Sequence, residues 1–233
     1  KLVEAEKMAS LGVLVAGVAH EINTPLGVGL AAASTLQNQS AEIAQRFSER
    51  KMTQSSLHAY LENAASETAL IRGNLERIGK LVDAFRKLAI TGGHQVRQRF
   101  ALRRIAEDVL ASRGDQLAQR AVASELLCDP DIEIESNPDD WVTIFSNLVG
   151  NSLQHGFRGR EGGRIRIEIR TAGSQLRVDY GDDGTGMSHE VRQRVFDPFF
   201  TTDLQHGLGL GMHLVYNLVT LGMRGSIRCA SEP

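Results

Sequence analysis

Apolar positions in the first ninety residues recur at helical spacing. Met8, Leu11, Val15, Val18 and Ile22 are separated by 3, 4, 3 and 4 residues. A longer run, Leu57, Leu61, Ala64, Thr68, Ile71, Leu75, Ile78, Val82 and Phe85, repeats with a period near 3.5, the mark of an a/d seam. Between the two runs, Phe47–Ser56 is polar and breaks the seam. The pattern predicts two long antiparallel helices joined by a short connection. Thr91-Gly92-Gly93-His94 supplies a glycine stop for the second helix.

Beyond that stop the periods mix. Phe100–Leu117, Asp139–His155 and Leu210–Leu221 read as helices. Val122–Cys128, Ile132–Glu135 and Gly225–Cys229 read as short strands. Gly163–Thr171 alternates through Ile165, Ile167 and Ile169, and Gln175–Tyr180 through Leu176, Val178 and Tyr180, with Gly173-Ser174 as the hairpin turn. The expected class is α+β, with helices over one face of a mostly antiparallel sheet. Three segments follow: a helical hairpin at 1–90, a linker at 91–100 and a mixed domain at 101–233. A hairpin with one apolar stripe per helix cannot close a core by itself. A second copy would complete a four-helix bundle, so a homodimer is expected; packing on the mixed domain is the alternative.

Composition narrows the partners. Twenty-six Lys and Arg against 28 Asp and Glu give a net charge of −2, which leaves no basic footprint for nucleic acid or an anionic membrane surface. Cys128 and Cys229 lie far apart without metal-ligand spacing, so a reducing compartment is expected. No apolar run reaches the roughly 18 residues of a membrane span, and the signal-peptide layout is missing, so any membrane anchor is expected outside this stretch.

The first chemical candidate is His20, in His-Glu-Ile-Asn-Thr-Pro. With Val18 at heptad position d, His20 falls at f, the outward face. A neutral imidazole attacks through one ring nitrogen when an acceptor holds the other protonated. The adjacent Glu21 can hold that tautomer and take up the released proton. Pro25 removes a backbone donor just beyond and can kink the helix. Taken alone, an exposed histidine on a helix is ordinarily a surface residue.

Three further elements follow in order. Asn147 and Asn151 are i and i+4 on one helix, so both amides project from one face; asparagine carbonyls suit Mg²⁺, and solvent-facing amides are the plain alternative. Asp182, at a strand end before Gly184 and Gly186, can accept from an exocyclic amine, or be a simple acidic turn. Gly207, Gly209 and Gly211 precede a helix and can present backbone N–H groups to phosphate, or form a loop. Between the last two, Phe196-Asp-Pro-Phe-Phe-Thr-Thr202, with Phe199 after the proline, suits a hinge packing a lid, or a small apolar cluster.

The set in this order resembles the sensor histidine kinases of two-component signalling over almost the whole chain. The resemblance implies a dimerisation and histidine-phosphotransfer hairpin forming a four-helix bundle, then a two-layer α/β sandwich of the Bergerat type that binds ATP and Mg²⁺. By it His20 is the phosphoacceptor, Glu21 its acidic partner, and Thr24, beside Asn23, the residue used in dephosphorylating the response regulator. Asn151 is the Mg²⁺ ligand with Asn147 one turn before. Asp182 reads adenine with Gly184 and Gly186 beside it, and Gly207, Gly209 and Gly211 stand on the phosphate side with Phe199 at the lid.

The chain departs from that pattern in three places. Gln154 stands where many members carry a phosphate-reaching lysine, with Arg158 and Arg160 nearby. Only Asp203-Leu-Gln-His206 separates the threonine pair from the glycines. A further strand is expected after residues 231–233. The implied reaction is phosphorylation of His20 by ATP, then transfer to an aspartate of a receiver domain, in the cytoplasm. The competing readings are an ATPase of the gyrase, chaperone and mismatch-repair superfamily, and a dimeric pseudokinase that binds nucleotide without transfer.

Overall fold

The computed structural model describes residues 2–90, 97–129, 132–173, 175–203 and 207–232, and side chains of the first helix from residue 17 onward. The chain divides into two compact units, Lys1–Lys87 and Leu88–Pro233.

The first unit is a helical hairpin of α1 (Leu2–Ser48) and α2 (Gln54–Ile90). α1 ends in a Schellman motif. Lys51 N–H donates to Arg46 O at 2.8 Å and Arg50 N–H to Phe47 O at 3.0 Å. Arg50 takes the left-handed conformation, φ 55°, that glycine usually fills. α2 opens on a reciprocal cap: Ser56 N–H donates to Thr53 Oγ1 at 3.2 Å, and Thr53 N–H to Ser56 Oγ at 3.1 Å. α1 continues through Pro25 without ending, and Pro25 itself is buried.

The inward face of α1 is a heptad row: Val18, Ile22, Pro25, Gly29, Ala32, Leu36 and Ile43. Met8, Leu11 and Val15 lie outside the described side chains. On α2 the inward row is Tyr60, Ala64, Ile71, Asn74, Ile78, Leu81 and Phe85. Ser40 Oγ and Tyr60 OH, 2.9 Å apart, tie the two helices. The predicted α2 seam is therefore two rows rather than one. Ala64, Ile71, Ile78 and Phe85 turn inward, whereas Leu57, Leu61, Thr68, Leu75 and Val82 stand exposed. The exposure reaches 56% at Leu61 and 58% at Leu75. Small residues on the α1 seam fill only the first row.

The second unit places helices against a mixed sheet. Its elements are β1 (Gln98–Ala101), α3 (Leu102–Ser112), α4 (Gly114–Gln119), β2 (Val122–Cys128), β3 (Glu133–Ser136), α5 (Pro138–Asn151), β4 (Gly163–Ala172), β5 (Gln175–Asp182), α6 (His189–Arg194) and α7 (Gly211–Asn217). β1 pairs antiparallel with β3, and β2-β4-β5 form a three-stranded sheet. β4 runs parallel to β2 and antiparallel to β5, so the sheet is mixed, not mostly antiparallel. The connection from β2 to β4 carries α5, the crossover that a parallel pair requires. Ile165, Ile167 and Ile169 of β4 are buried against Phe145 and Val149 of α5, Leu102 and Ala106 of α3, and Val215 of α7 in one core.

Three predicted elements differ in detail. The helix expected over Phe100–Leu117 starts at Leu102 and breaks at Arg113. α5 and α7 each end in a π-helical turn, over Ser152–Gly156 and Leu218–Gly222. Gly225–Cys229 is not a strand, although its alternation survives, with Ile227, Cys229 and Ser231 half-buried. That segment is held by side-chain contacts: Ser231 Oγ accepts from Met187 N–H at 2.9 Å, and Arg192 Nη1 donates to Ser231 O at 3.1 Å. The glycine stop at residues 91–94, most of the 91–100 linker and Ser174 of the hairpin turn lie outside the described residues. No described helix is long and apolar enough to cross a membrane.

Candidate functional site

In the hairpin, His20 is exposed, as its f position requires. Thr24 is exposed one turn on, and its Oγ1 donates to His20 O at 3.2 Å. Glu21 is turned toward α2, where Arg77 Nη2 lies 3.5 Å from its Oε2. Neighbouring helical residues point about 100° apart, so His20 and Glu21 leave α1 in different directions.

In the second unit the predicted residues converge around the C-terminal ends of α5 and β5. Asn137 caps α5, its side chain accepting from Asp139 N–H at 3.0 Å, with Pro138 in the first helical turn. Asn147, two and a half turns on, donates through Nδ2 to Thr143 O at 2.7 Å. Its Oδ1 faces the start of α7, where a Cβ on Gly211 would come within 2.6 Å. Gly211 is therefore the residue that lets α7 pack on α5. Asn151 is half-buried in the last turn, and no described residue hydrogen-bonds its side chain. Its amide oxygen is thus uncommitted and fits a hard cation such as Mg²⁺. No cluster of three or more His, Cys, Asp or Glu forms among the described residues, so a cation here would rely on few protein ligands.

Asp182 sits at the end of β5, opposite Ile165 of β4, with its side chain exposed. Its Oδ1 accepts from Gly184 N–H at 3.0 Å. Its Oδ2 lies 2.5 Å from Ser152 Oγ, and that hydroxyl is 2.6 Å from Tyr180 OH. Burial pushes the Tyr180 phenol well above its ordinary value; the Ser152 contact opposes this and the Asp182 charge adds to it. A side chain at Gly184 would collide with Gly156 O at 2.6 Å, so the glycine is sterically required. Thr185 N–H donates to the same Gly156 carbonyl at 2.9 Å. Gly186 takes φ 68°.

The glycine loop packs on the Phe-Asp-Pro-Phe-Phe segment. Phe199 has φ 64° and Gly209 φ 64°, and a Cβ at Gly209 would lie 2.4 Å from the Phe199 carbonyl carbon. Gly207 N–H donates to Asp203 O at 2.9 Å. Residues 204–206, the expected short lid, lie outside the described residues. Gln154 Nε2 donates to Asp203 Oδ2 at 3.3 Å, and Arg158 Nη1 stands 4.0 Å from the same oxygen. Arg160 Nη1 donates to Asp183 O at 3.0 Å. Arg158 thus stands beside Asp203, and Arg160 is tied to the Asp183 carbonyl. His155 Nδ1 is 3.1 Å from Thr202 Oγ1.

Sequence reading missed Ser152 and Tyr180. Tyr180 and Asp182 are two apart on one strand and so share a face, which was a readable signal. Ser152 carried none, because its partners lie 28 and 30 residues away in the chain.

Residues 136–233 match the model of the histidine kinase-, DNA gyrase B- and HSP90-like ATPase family. The matched residues lie within the second unit and span the segment that carries Asn151, Asp182 and the glycine loop. Over its whole length the chain is related to sensor histidine kinases. It is 30% identical over 233 residues to the C4-dicarboxylate transport sensor protein DctB of Rhizobium meliloti (strain 1021), covering 100% of this chain and 34% of that protein. It is 30% identical over 216 residues to the sensor histidine kinase ZraS of Klebsiella oxytoca, covering 92% of this chain and 42% of that one. The chain thus spans between a third and a half of these curated relatives. The fold is shared with the histidine kinase ThkA, solved in complex with the response regulator protein TrrA, at a TM-score of 0.59 and 19% identity over 92% of this chain and 56% of that one.

Proposed function

We propose that this chain is the kinase portion of a two-component sensor. An imidazole nitrogen of His20 attacks the γ-phosphorus of ATP; the N–P bond forms as the bond to the β–γ bridging oxygen breaks. ADP leaves with that electron pair, and the ring proton passes to Glu21. The phosphoryl group then moves to an aspartate carboxylate of a response-regulator receiver domain. Thr24, one turn from His20, serves the dephosphorylation of the receiver, in which water attacks the phosphorus and the aspartate carboxylate leaves.

The nucleotide rests on the second unit. Asp182 accepts from the base, and the backbone around Gly207, Gly209 and Gly211, braced by Phe199, lies along the phosphates. Asn151, with Asn147 a turn before, would hold Mg²⁺, which supplies charge neutralisation for the transferring group. Protein groups mainly position here, since phosphoryl transfer needs little covalent help. The exposed α2 row of Leu57, Leu61, Leu75 and Val82 is covered by a second copy, which completes a four-helix bundle. The domain limits of this reading are 1–90, 91–100 and 101–233. A kinase that consumes ATP and passes phosphate to a receiver domain works in the cytoplasm, the compartment this reading assigns to the chain.

One observation carries the reading: a water-facing His20, with Glu21 beside it and Thr24 one turn on, stands in the same chain as a glycine-lined Asp182 site. The hydrolytic alternative wants a carboxylate near Asn151, yet the acids of α5 are Asp139 and Asp140 in its first turn, about three turns away. Incubation with γ-labelled ATP tests the proposal. An acid-labile, base-stable label on the protein is the expected result. Release of free phosphate with no label on protein would favour the hydrolytic reading, and neither would favour the non-transferring one.

A further inference from the structure

Asp182 is one end of a three-residue chain whose direction follows from counting protons. An ionised carboxylate has none to give, so Ser152 must donate to Oδ2 across 2.5 Å. A serine hydroxyl has a single proton. Once spent on Asp182, it leaves only lone pairs toward Tyr180, so the phenol must be the donor across 2.6 Å. The order is therefore Tyr180 OH to Ser152 Oγ to Asp182 Oδ2. Burial keeps the phenol protonated and able to donate. Ser152 is only 2% exposed, so water does not compete for its hydroxyl.

The other carboxylate oxygen is fixed independently. Oδ1 accepts from Gly184 N–H at 3.0 Å. Both oxygens are thus clamped, in a corner where even a methyl group on Gly156 would come within 3.0 Å of Oδ1. The remaining lone pairs of the exposed carboxylate are acceptors only. A ligand edge that donates is favoured there, and one that presents a carbonyl is repelled.

We propose that Tyr180 and Ser152 are base-specificity residues: their relay locks Asp182 as an oriented, acceptor-only carboxylate, so the site selects a purine bearing a 6-amino group over one bearing a 6-oxo group. The inference rests on the reading that Asp182 meets the nucleotide base. Tyr180 and Ser152 are positioning residues, since they act through Asp182. Without Ser152 the carboxylate is held through Oδ1 alone and can rotate, so its lone pairs are no longer aimed at the amino edge of a base.

The test compares ATP with inosine triphosphate, which differs in the 6-substituent and the N1 proton, by equilibrium titration of the full 233-residue chain. Ser152→Ala is expected to lower the preference for ATP by about tenfold, the size of effect that one lost hydrogen bond to a charged group produces. Tyr180→Phe, which removes a single oxygen, is expected to lower it about threefold. In the double variant Tyr180→Phe adds nothing to Ser152→Ala, because the relay is already cut. An unchanged preference in folded Ser152→Ala or Tyr180→Phe overturns the proposal, as do additive losses in the double variant. Asp182→Asn separates the two layers. If it too leaves ATP binding and preference unchanged, the reading of Asp182 falls and takes the relay with it. If Asp182→Asn abolishes the preference and Ser152→Ala does not, the relay alone is wrong.

Discussion

Arg77 on α2 reaches across the hairpin to Glu21 on α1, with Nη2 3.5 Å from Oε2. The contact draws the carboxylate beside the candidate phosphoacceptor toward the seam, while His20 stays in water. Arg77 also buries its Nε without a hydrogen-bond partner. A loose, half-exposed pair of this kind is worth at most about 1 kcal/mol. In the proposed mechanism the pair opens before Glu21 takes the His20 proton.

Arg77→Met should therefore speed phosphorylation of His20 by roughly two- to fivefold, a modest share of what general-base catalysis contributes. Little helical stability should be lost. Initial labelling rates and thermal melting followed by circular dichroism check both halves. A slower rate with intact helices would mean that Arg77 presents Glu21 rather than restrains it.

Gly209→Ala should damage the phosphate side of the site. The left-handed backbone at φ 64° and the 2.4 Å approach to the Phe199 carbonyl carbon leave no room for a methyl group. The strain is of order 1–3 kcal/mol if it is absorbed locally. Relief by a shift of the loop should weaken ATP binding about tenfold or more, measurable by calorimetry. Unaltered affinity and melting temperature would show that the loop tolerates a side chain there.

The exposed α2 row predicts assembly. Leu61→Glu with Leu75→Glu removes two large apolar side chains from each copy, at about 1.5–3 kcal/mol per buried leucine. The dimer dissociation constant should rise by more than about 100-fold. Sedimentation equilibrium reads this directly, and a wild-type chain that sediments as a monomer would contradict the four-helix bundle.

A pH effect follows from His155. Burial pushes its imidazole below the ordinary histidine value; the Asp203 charge opposes this, and Arg158 adds to it. The unfolded chain therefore takes up the proton more readily than the folded one. The stabilisation is fully present above the unfolded histidine value and is lost as pH falls through the folded one. Urea unfolding followed by fluorescence of Trp141, the chain's one tryptophan, should show a decline from pH 7.5 to 5 that is shallower in His155→Gln. Equal slopes in both proteins would remove His155 from the cause.

What could be read in advance was local. The glycines at 184 and 209 stood out in the sequence, and each proves to be sterically required, by a close approach at Gly184 and a left-handed turn at Gly209. The end of α1 was harder, since Arg50 occupies a position where glycine is the usual signal. Pairing β2 parallel to β4 could not be seen, because it depends on residues about forty apart and on the α5 crossover between them. The two apolar rows of α2 looked like one seam because Ala64, Ile71 and Ile78 fit either spacing. Ser152 was invisible for a related reason: its hydroxyl gains meaning only from Tyr180 and Asp182, 28 and 30 residues away in the chain.

The destination of the terminal phosphoryl group tests the whole account. Mass spectrometry of the ATP-treated protein, handled without acid, should find phosphate on the peptide containing His20, and His20→Gln should carry none while still binding ATP. Phosphate on another side chain, or full labelling of the glutamine variant, would contradict it.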